Sequence, residues 1–406
     1  MKYVILLGDG MGDYPLVELG NKTPLQYAHT PNMDRMAREG TVGLIDTVPE
    51  GFIPGSDVAN LSVLGYNPHE CYAGRGPLEA ANMGIHLGPD DVAFRCNLVA
   101  LTDGPVAKMD DFTAGHISSD EAREIILSLQ TVLGNETFQF YPGVGYRHLL
   151  VWRNGKDAMK TTPPHDITGK AVADYLPAGE GSDRLLDLMA RAKSILNDHP
   201  VNRNRQAKGE KTANAIWPWG QGKTPAMVPL TEKYHFQGGV ISAVDLLNGI
   251  GVCAGLDVLR VEGATGYIDT NYRGKGNKAL ECLKERDFVF VHVEAPDEMG
   301  HEGDVQGKIK AIEDFDEKVV GTVLDGLSAF DAWRLLVLCD HPTPIAHRTH
   351  VGDPSPFVVL SSVPDENRRN GLEYSESEAR KSGILISPGH QLMELFIRDW
   401  RRFVAA

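Results

Sequence analysis

The chain has little cysteine, no long apolar run and no excess of positive charge, and each absence narrows what it can be. Its five cysteines, Cys71, Cys96, Cys253, Cys282 and Cys339, are far apart and form no C-x-x-C pair. An odd, dispersed set reads as reduced thiols and offers no disulfide framework. Nowhere do about 18 apolar residues follow one another, the length a membrane-spanning helix needs. The N-terminal run Tyr3–Leu7 turns polar at Gly8, too soon for a signal peptide. The expectation is a soluble, cytoplasmic protein with no membrane partner. A formal net charge of −15 leaves no basic face for nucleic acid unless charge is strongly segregated. There is no fixed-period repeat and no low-complexity tract.

What is present is an ordinary globular composition with a hydrophobic fraction of 42%, ample for a core. A length of 406 residues points to more than one domain. Short apolar runs at Val4–Leu7, Phe288–Val293, Leu335–Leu338 and Phe357–Leu360 have the pattern of buried parallel strands. Between them lie helical patterns. Thr30 offers a cap ahead of Pro31, with Met33, Met36 and Ala37 at helical spacing, and 308–327 carries a stripe from Ile309 to Val323. This alternation predicts an α/β sheet covered by helices on both faces. The middle reads differently, with strands at Val92–Leu101 and Arg147–Trp152, helices at 120–133 and 183–197, and a Trp-rich stretch at 215–223. The best chemical motifs lie at the two ends of the chain, so the middle is expected to be an inserted second domain.

Several segments end an apparent strand with metal-ligand residue types. Asp9 follows the first strand, and Asp297 and His301 follow another. Asp340 and His341 follow a third, and His350 lies in the loop before Phe357–Leu360. In open α/β sheets sites gather beyond the carboxyl ends of strands, so these residues are expected to converge. Three carboxylates and three imidazoles are enough ligands for two divalent ions, and the mixture suits manganese or zinc better than a pure oxygen set. Two ions about 4 Å apart hold both the attacking and the leaving oxygen of a phosphoryl displacement. Ser56, after Pro54-Gly55 and at the start of a helix-like run, is the candidate nucleophile. Singly, each residue has a commoner explanation as a helix cap or turn residue; recurrence at successive strand ends is what favours a site.

The stretches Leu7–Gly12, Gly55–Tyr66, Gly74–Glu79, Phe94–Leu98, Ala114–Ile117, Tyr146–Leu149, Gly263–Gly266 and the two late metal motifs together span nearly the whole chain. They resemble the alkaline-phosphatase-like metalloenzyme superfamily, and within it the cofactor-independent phosphoglycerate mutases of the archaeal type. The resemblance implies a discontinuous metal-binding domain, a mostly parallel sheet flanked by helices, at 1–70 and 240–406. An inserted α/β or α+β substrate-binding domain would occupy 71–239. It implies one ion on Asp297, His301 and His350, and a second on Asp9, Ser56, Asp340 and His341. Manganese is the expected metal, with zinc or magnesium as alternatives, and no bisphosphoglycerate cofactor is needed. Ser56 would become a phosphoserine in a ping-pong interconversion of 2-phosphoglycerate and 3-phosphoglycerate, a step of glycolysis and gluconeogenesis. The inserted domain would close over the substrate and exclude water.

The family's lysine near the metals matches Lys275, with Lys278 close by. Arg75, Arg95 and Arg147 are candidates for the substrate's carboxylate or phosphate, which guanidinium grips bidentately. Asp166, with His116 and His165, is a candidate for acid/base work on the glycerate hydroxyls. The Trp-rich stretch at 213–225 resembles a bacterial branch of the family proposed to act as homoserine kinases, or else it is packing. The alternatives to a mutase are therefore a homoserine-kinase-like phosphotransferase and a phosphatase of the same superfamily. Oligomeric state is left open.

Overall fold

A computed structural model describes residues 1–405 and divides the chain into two compact units, one of residues 1–72 with 226 onward, the other of residues 73–225. The return to the first unit comes at residue 226, ahead of the boundary near 240 expected from sequence. Residues 226–239 belong there because the Leu230 N–H bonds the Ala254 carbonyl at 2.8 Å and Gly238 opens a strand of that unit's sheet. Among the described residues no helix is long and apolar enough to cross a membrane.

The first unit is α/β. Its eight-stranded sheet runs Asp257–Val258, Gly238–Ile241, Phe288–Val293, Lys2–Gly8, Trp333–Leu338, Ser355–Ser361, Thr41–Ile45, Leu385–Ile386. The central three strands are parallel, with Gly8 opposite Val293 and Leu7 opposite Leu338. Their carboxyl ends are therefore level, and the residues just beyond them meet at one edge. Alternate side chains, among them Val4, Leu6, Val291 and Val337, pack with Met33, Met36, Ile312 and Phe315 from flanking helices. Each large aliphatic group buried in this way contributes about 1.5–3 kcal/mol. The helix Pro31–Glu39 starts with proline at its first position, and the run 305–327 is helical with a π turn at Asp316–Val320.

One strand corrects the sequence expectation. Ser355–Ser361 is antiparallel to both neighbours, pairing Phe357 with Leu338 and Ser355 with Ile45. Its apolar run looked parallel because burial on both faces gives the same pattern in either direction. The reversal brings the loop before it, with His350, to the edge where the other strands end. It also makes Thr41–Ile45 parallel to the central strands, so the chain beyond Ile45 arrives at the same edge and continues to Ser56, the first residue of the helix Ser56–Val63.

The second unit is α+β. Met109–Asp111, Val92–Leu101, Arg147–Trp152 and Phe138–Val144 form an antiparallel sheet in that order, and Ala215–Gly222 also pairs with Val92–Leu101. Phe94, Cys96, Leu98 and Leu150 pack with Ile125, Ile126, Leu129 and Leu188 of the helices Ser119–Leu133 and Ser182–Asn197. The Trp-rich stretch is thus a strand of this sheet, with Trp217 and Trp219 buried.

Candidate active site

His301 lies one turn after Asp297 on the helix Ala295–Glu302, which begins right after the Phe288–Val293 strand. His301 Nδ1 donates to the Arg348 carbonyl at 3.0 Å and His350 Nδ1 to the Pro54 carbonyl at 3.3 Å. A carbonyl can only accept, so both rings carry a proton on Nδ1 and turn Nε2 toward the carboxylate, where each neutral ring has its lone pair. The two Nε2 atoms are 2.9 Å apart, and lie 3.2 and 3.5 Å from the Asp297 carboxylate oxygens. With both rings neutral these are two lone pairs beside a carboxylate, the donor set of a shared cation, while the Asp297 carboxylate itself favours a proton there and raises the His301 pKa to about 9.

The second group sits around His341. Its Nε2 is 3.2 Å from Ser56 Oγ and 3.6 Å from both Asp9 Oδ1 and Asp340 Oδ2. The Thr343 hydroxyl donates to Asp297 Oδ1 at 2.5 Å, so at 3.3 Å it accepts from His341 Nδ1, again leaving the Nε2 lone pair toward the cluster. Asp340 is held by the N–H groups of Gly10 and His341 at 3.2 and 2.9 Å and by the Asn60 amide at 2.9 Å. The same Asn60 amide bonds the Ser56 carbonyl at 2.9 Å, tying the serine's helix to the aspartate. The His341 and His350 rings are 4.2 Å apart by their centroids, which joins the two groups into one site.

The donor chemistry fits divalent cations. Asp297 with His301 and His350, and Asp9 with Asp340 and His341, each place their ligand atoms within 4.8 Å of one another. Asp9 is fully buried and its Oδ1 has no hydrogen-bond partner among the described residues, a costly arrangement that a cation would relieve. Burial, then the carboxylates of Asp340, Asp297 and Glu294, push the Asp9 carboxyl well above the usual range. Burial acts to raise Asp297 too, but its bonds to His301 and His350 and the nearby His341 outweigh that and hold it low.

Lys275 is buried on the helix Tyr272–Glu285, and its ammonium donates to the His292 carbonyl at 3.0 Å. Burial draws its pKa down to about 8, against the opposing pull of Glu294. Lys278 is instead paired with Glu281 at 3.0 Å on the outer side. Lys275 makes no hydrogen bond to Ser56, so the expected role at the phosphoryl group rests on charge, not on a contact.

In the second unit, Arg95 lies over the Trp219 ring at 4.7 Å and Arg75 over the same ring at 6.0 Å, with the His165 ring 5.4 Å from it. Arg95 Nε forms a close ion pair with Glu79 at 2.9 Å. Burial, then Asp166 in opposition and the fields of Arg75 and Arg95, keep the His165 imidazole below its usual pKa. His165 Nε2 is 3.6 Å from Asp166. Arg75, Arg95 and His165 thus gather around Trp219, with Asp166 beside His165. Arg147 is exposed against the Tyr146 ring at 5.8 Å and adds its charge to the field at Arg95, and exposed His116 is fixed by its own backbone to Thr113 at 3.0 Å.

Sequence reasoning missed Asn60, Thr343 and His292. Asn60 and Thr343 are common residue types with no pattern to mark them. His292 did leave a signal, a lone imidazole inside the otherwise apolar strand Phe288–Val293.

A family profile described as 2,3-bisphosphoglycerate-independent phosphoglycerate mutase matches residues 37–202. A probable 2,3-bisphosphoglycerate-independent phosphoglycerate mutase of Geobacter sulfurreducens is 56% identical, covering 98% of this chain and 100% of that protein. The mutase of Methanosarcina barkeri is 53% identical, covering 95% and 96%. Among solved structures, a protein of Pyrococcus horikoshii superposes with a TM-score of 0.83 at 30% identity, covering 99% and 97% of the chains. The cofactor-independent phosphoglycerate mutase of Thermoplasma acidophilum does so with a TM-score of 0.68 at 27% identity, covering 98% and 99%. With full-length identity above half and the same fold, the chain belongs to the 2,3-bisphosphoglycerate-independent phosphoglycerate mutases.

Proposed function

We propose that this chain interconverts 2-phosphoglycerate and 3-phosphoglycerate by way of a phosphoserine at Ser56. The observation that carries the reading is Ser56 Oγ at 3.2 Å from His341 Nε2, at the head of a helix, with the unsatisfied buried Asp9 Oδ1 3.6 Å from the same nitrogen. Divalent ions, manganese by the imidazole–carboxylate mixture, would be held by Asp297, His301 and His350 and by Asp9, Ser56, Asp340 and His341, and would supply the positive charge that acidifies the serine and draws in the phosphoryl oxygens. Ser56 Oγ bonds the phosphorus as the bond from phosphorus to the glycerate oxygen breaks; the serine loses a proton and the glycerate oxygen gains one. The second half reverses this at the neighbouring hydroxyl. Lys275, buried in the same unit, adds positive charge. In the second unit, the guanidinium groups of Arg75, Arg95 and Arg147 suit an anionic group of the substrate, and Asp166 with His116 and His165 suits proton traffic at its hydroxyls.

Transfer to homoserine is the weaker reading, since the relatives matching along almost the whole chain are named as mutases. A coupled assay with 3-phosphoglycerate, manganese and no bisphosphoglycerate tests the proposal. Turnover is expected, with loss by at least about 10³-fold in Ser56→Ala, as for removal of other serine nucleophiles, and loss on chelation. An inert 3-phosphoglycerate, or phosphate release at the rate of turnover, overturns it.

A further inference from the structure

The strand Phe288–Val293 buries one imidazole, that of His292, between two polar groups from other parts of the first unit. The Ser242 hydroxyl accepts the Val244 N–H at 3.0 Å, and its own proton is then free to go to His292 Nδ1 at 3.2 Å. A ring that accepts at Nδ1 is protonated at Nε2, and this N–H donates to Asp9 Oδ2 at 2.8 Å. Glu294 Oε2 is farther from the same nitrogen, at 3.5 Å. The Lys275 ammonium bonds the His292 carbonyl at 3.0 Å and anchors the strand from the other side. His292 and Asp9 are both fully buried, so neither has water to substitute for this contact. One Asp9 oxygen is therefore engaged by a ring held at both nitrogens, and the other, Oδ1, is the unpartnered atom facing His341.

We infer that His292 is a positioning residue that, held in one tautomer by Ser242, fixes which oxygen of Asp9 is presented to the cation shared with Asp340 and His341. The inference rests on the metal-site reading above but not on the identity of the substrate. A chain of hydroxyl, imidazole and carboxylate behind a ligand sets its direction and basicity, and losing such a partner typically weakens metal binding by about 10–100-fold. It also separates the two carboxylates nearest the ring, since Asp9 Oδ2 accepts the N–H at 2.8 Å whereas Glu294 Oε2, at 3.5 Å, makes no hydrogen bond among the described residues.

The test is a manganese(II) chloride titration of the full-length, metal-free chain, with unbound manganese read by its paramagnetic resonance signal, alongside a melting curve without metal. Two ions are expected to bind the wild type; a failure there sinks the metal-site reading itself and is seen before any variant is made. His292→Gln keeps an N–H donor near the Nε2 position and is expected to bind both ions as the wild type does. His292→Asn keeps only the Ser242 side and is expected to weaken one ion by about 10–100-fold while the other is unchanged. If either variant fails to fold, Ser242→Ala, which frees the tautomer, is expected to weaken the same single ion to a smaller degree. Equal affinity in His292→Asn and wild type, or equal loss of both ions in the Asn and Gln variants, overturns the inference.

Discussion

At the scale of single residues, the site depends on a small number of protons having only one place to go. Thr343 is the clearest case, because its one hydroxyl joins the two metal groups: it donates to Asp297 and receives from His341. It is fully buried, so no solvent molecule takes over either bond. Thr343→Val keeps the shape and removes the hydroxyl, leaving an Asp297 oxygen without its donor and the His341 ring free to change tautomer. The expected result is weaker manganese binding by about 10–100-fold, the usual cost of deleting a partner behind a metal ligand. Thr343→Ser, which restores the hydroxyl, is expected to recover most of it. A calorimetric titration decides the matter, and unchanged affinity in Thr343→Val would show that the hydroxyl does not orient these ligands.

At the scale of elements, convergence follows from level strand ends, and the loop after the first strand shows how tight the fit is. Gly10 has φ of +62°, and a Cβ there would meet the Asp297 side chain at 2.5 Å and its Cα at 2.7 Å. Gly10→Ala therefore meets two obstacles, a left-handed backbone that costs about 1–2 kcal/mol and a steric push on a metal ligand. Loss of activity by more than about 10²-fold is expected, the scale set by ligand misplacement of an ångström. Asparagine tolerates the left-handed conformation but has the same Cβ, so Gly10→Asn is expected to be nearly as inactive; recovery in that variant would reduce the requirement to backbone freedom alone. The same elements show what could be read in advance. Asp9, Asp297, Asp340 and His341 were legible because an acid or imidazole directly after an apolar run is conspicuous. His350 was legible as a residue type but not as a position, since only strand direction, which the apolar pattern does not encode, brings its loop to this edge. Asn60, Thr343 and Ser242 act through contacts between distant segments, and nothing in their local sequence sets them apart. The Trp-rich stretch was legible as a composition but not as a strand, because Pro218, Gly220 and Gly222 interrupt the apolar residues.

At the scale of the whole molecule, the two units depend on different solution conditions. All of the candidate metal ligands lie in the first unit, so metal is expected to stabilise that unit by mass action, by about 2.7 kcal/mol at a concentration one hundred times the dissociation constant. The second unit has an acid-sensitive point of its own. His148 is buried in the strand Arg147–Trp152, its Nδ1 accepts the Gly143 N–H at 3.0 Å, and its Nε2 has no partner among the described residues. Burial alone pushes its pKa down to about 3. In the unfolded chain the ring takes up a proton near pH 6.5, and in the folded unit it does not until near pH 3. The unfolded state therefore binds more protons throughout that interval, and stability is full above pH 6.5 and declines as the pH falls toward 3. Between pH 7 and pH 5 this one group accounts for about 2 kcal/mol. For a unit of this size that corresponds to a melting-temperature drop of about 4–8 °C. Other imidazoles with lowered pKa, His165 and His199 in the same unit, add to the decline, so the quantity to measure is a difference. His148→Asn keeps an acceptor for Gly143 and does not titrate. Scanning calorimetry of both proteins at a fixed excess of manganese, at pH 7 and pH 5, is expected to show a smaller acid loss in the variant by that amount. Equal losses in the two proteins would mean that His148 gains a proton in the folded state and that its burial does not govern the acid sensitivity of this unit.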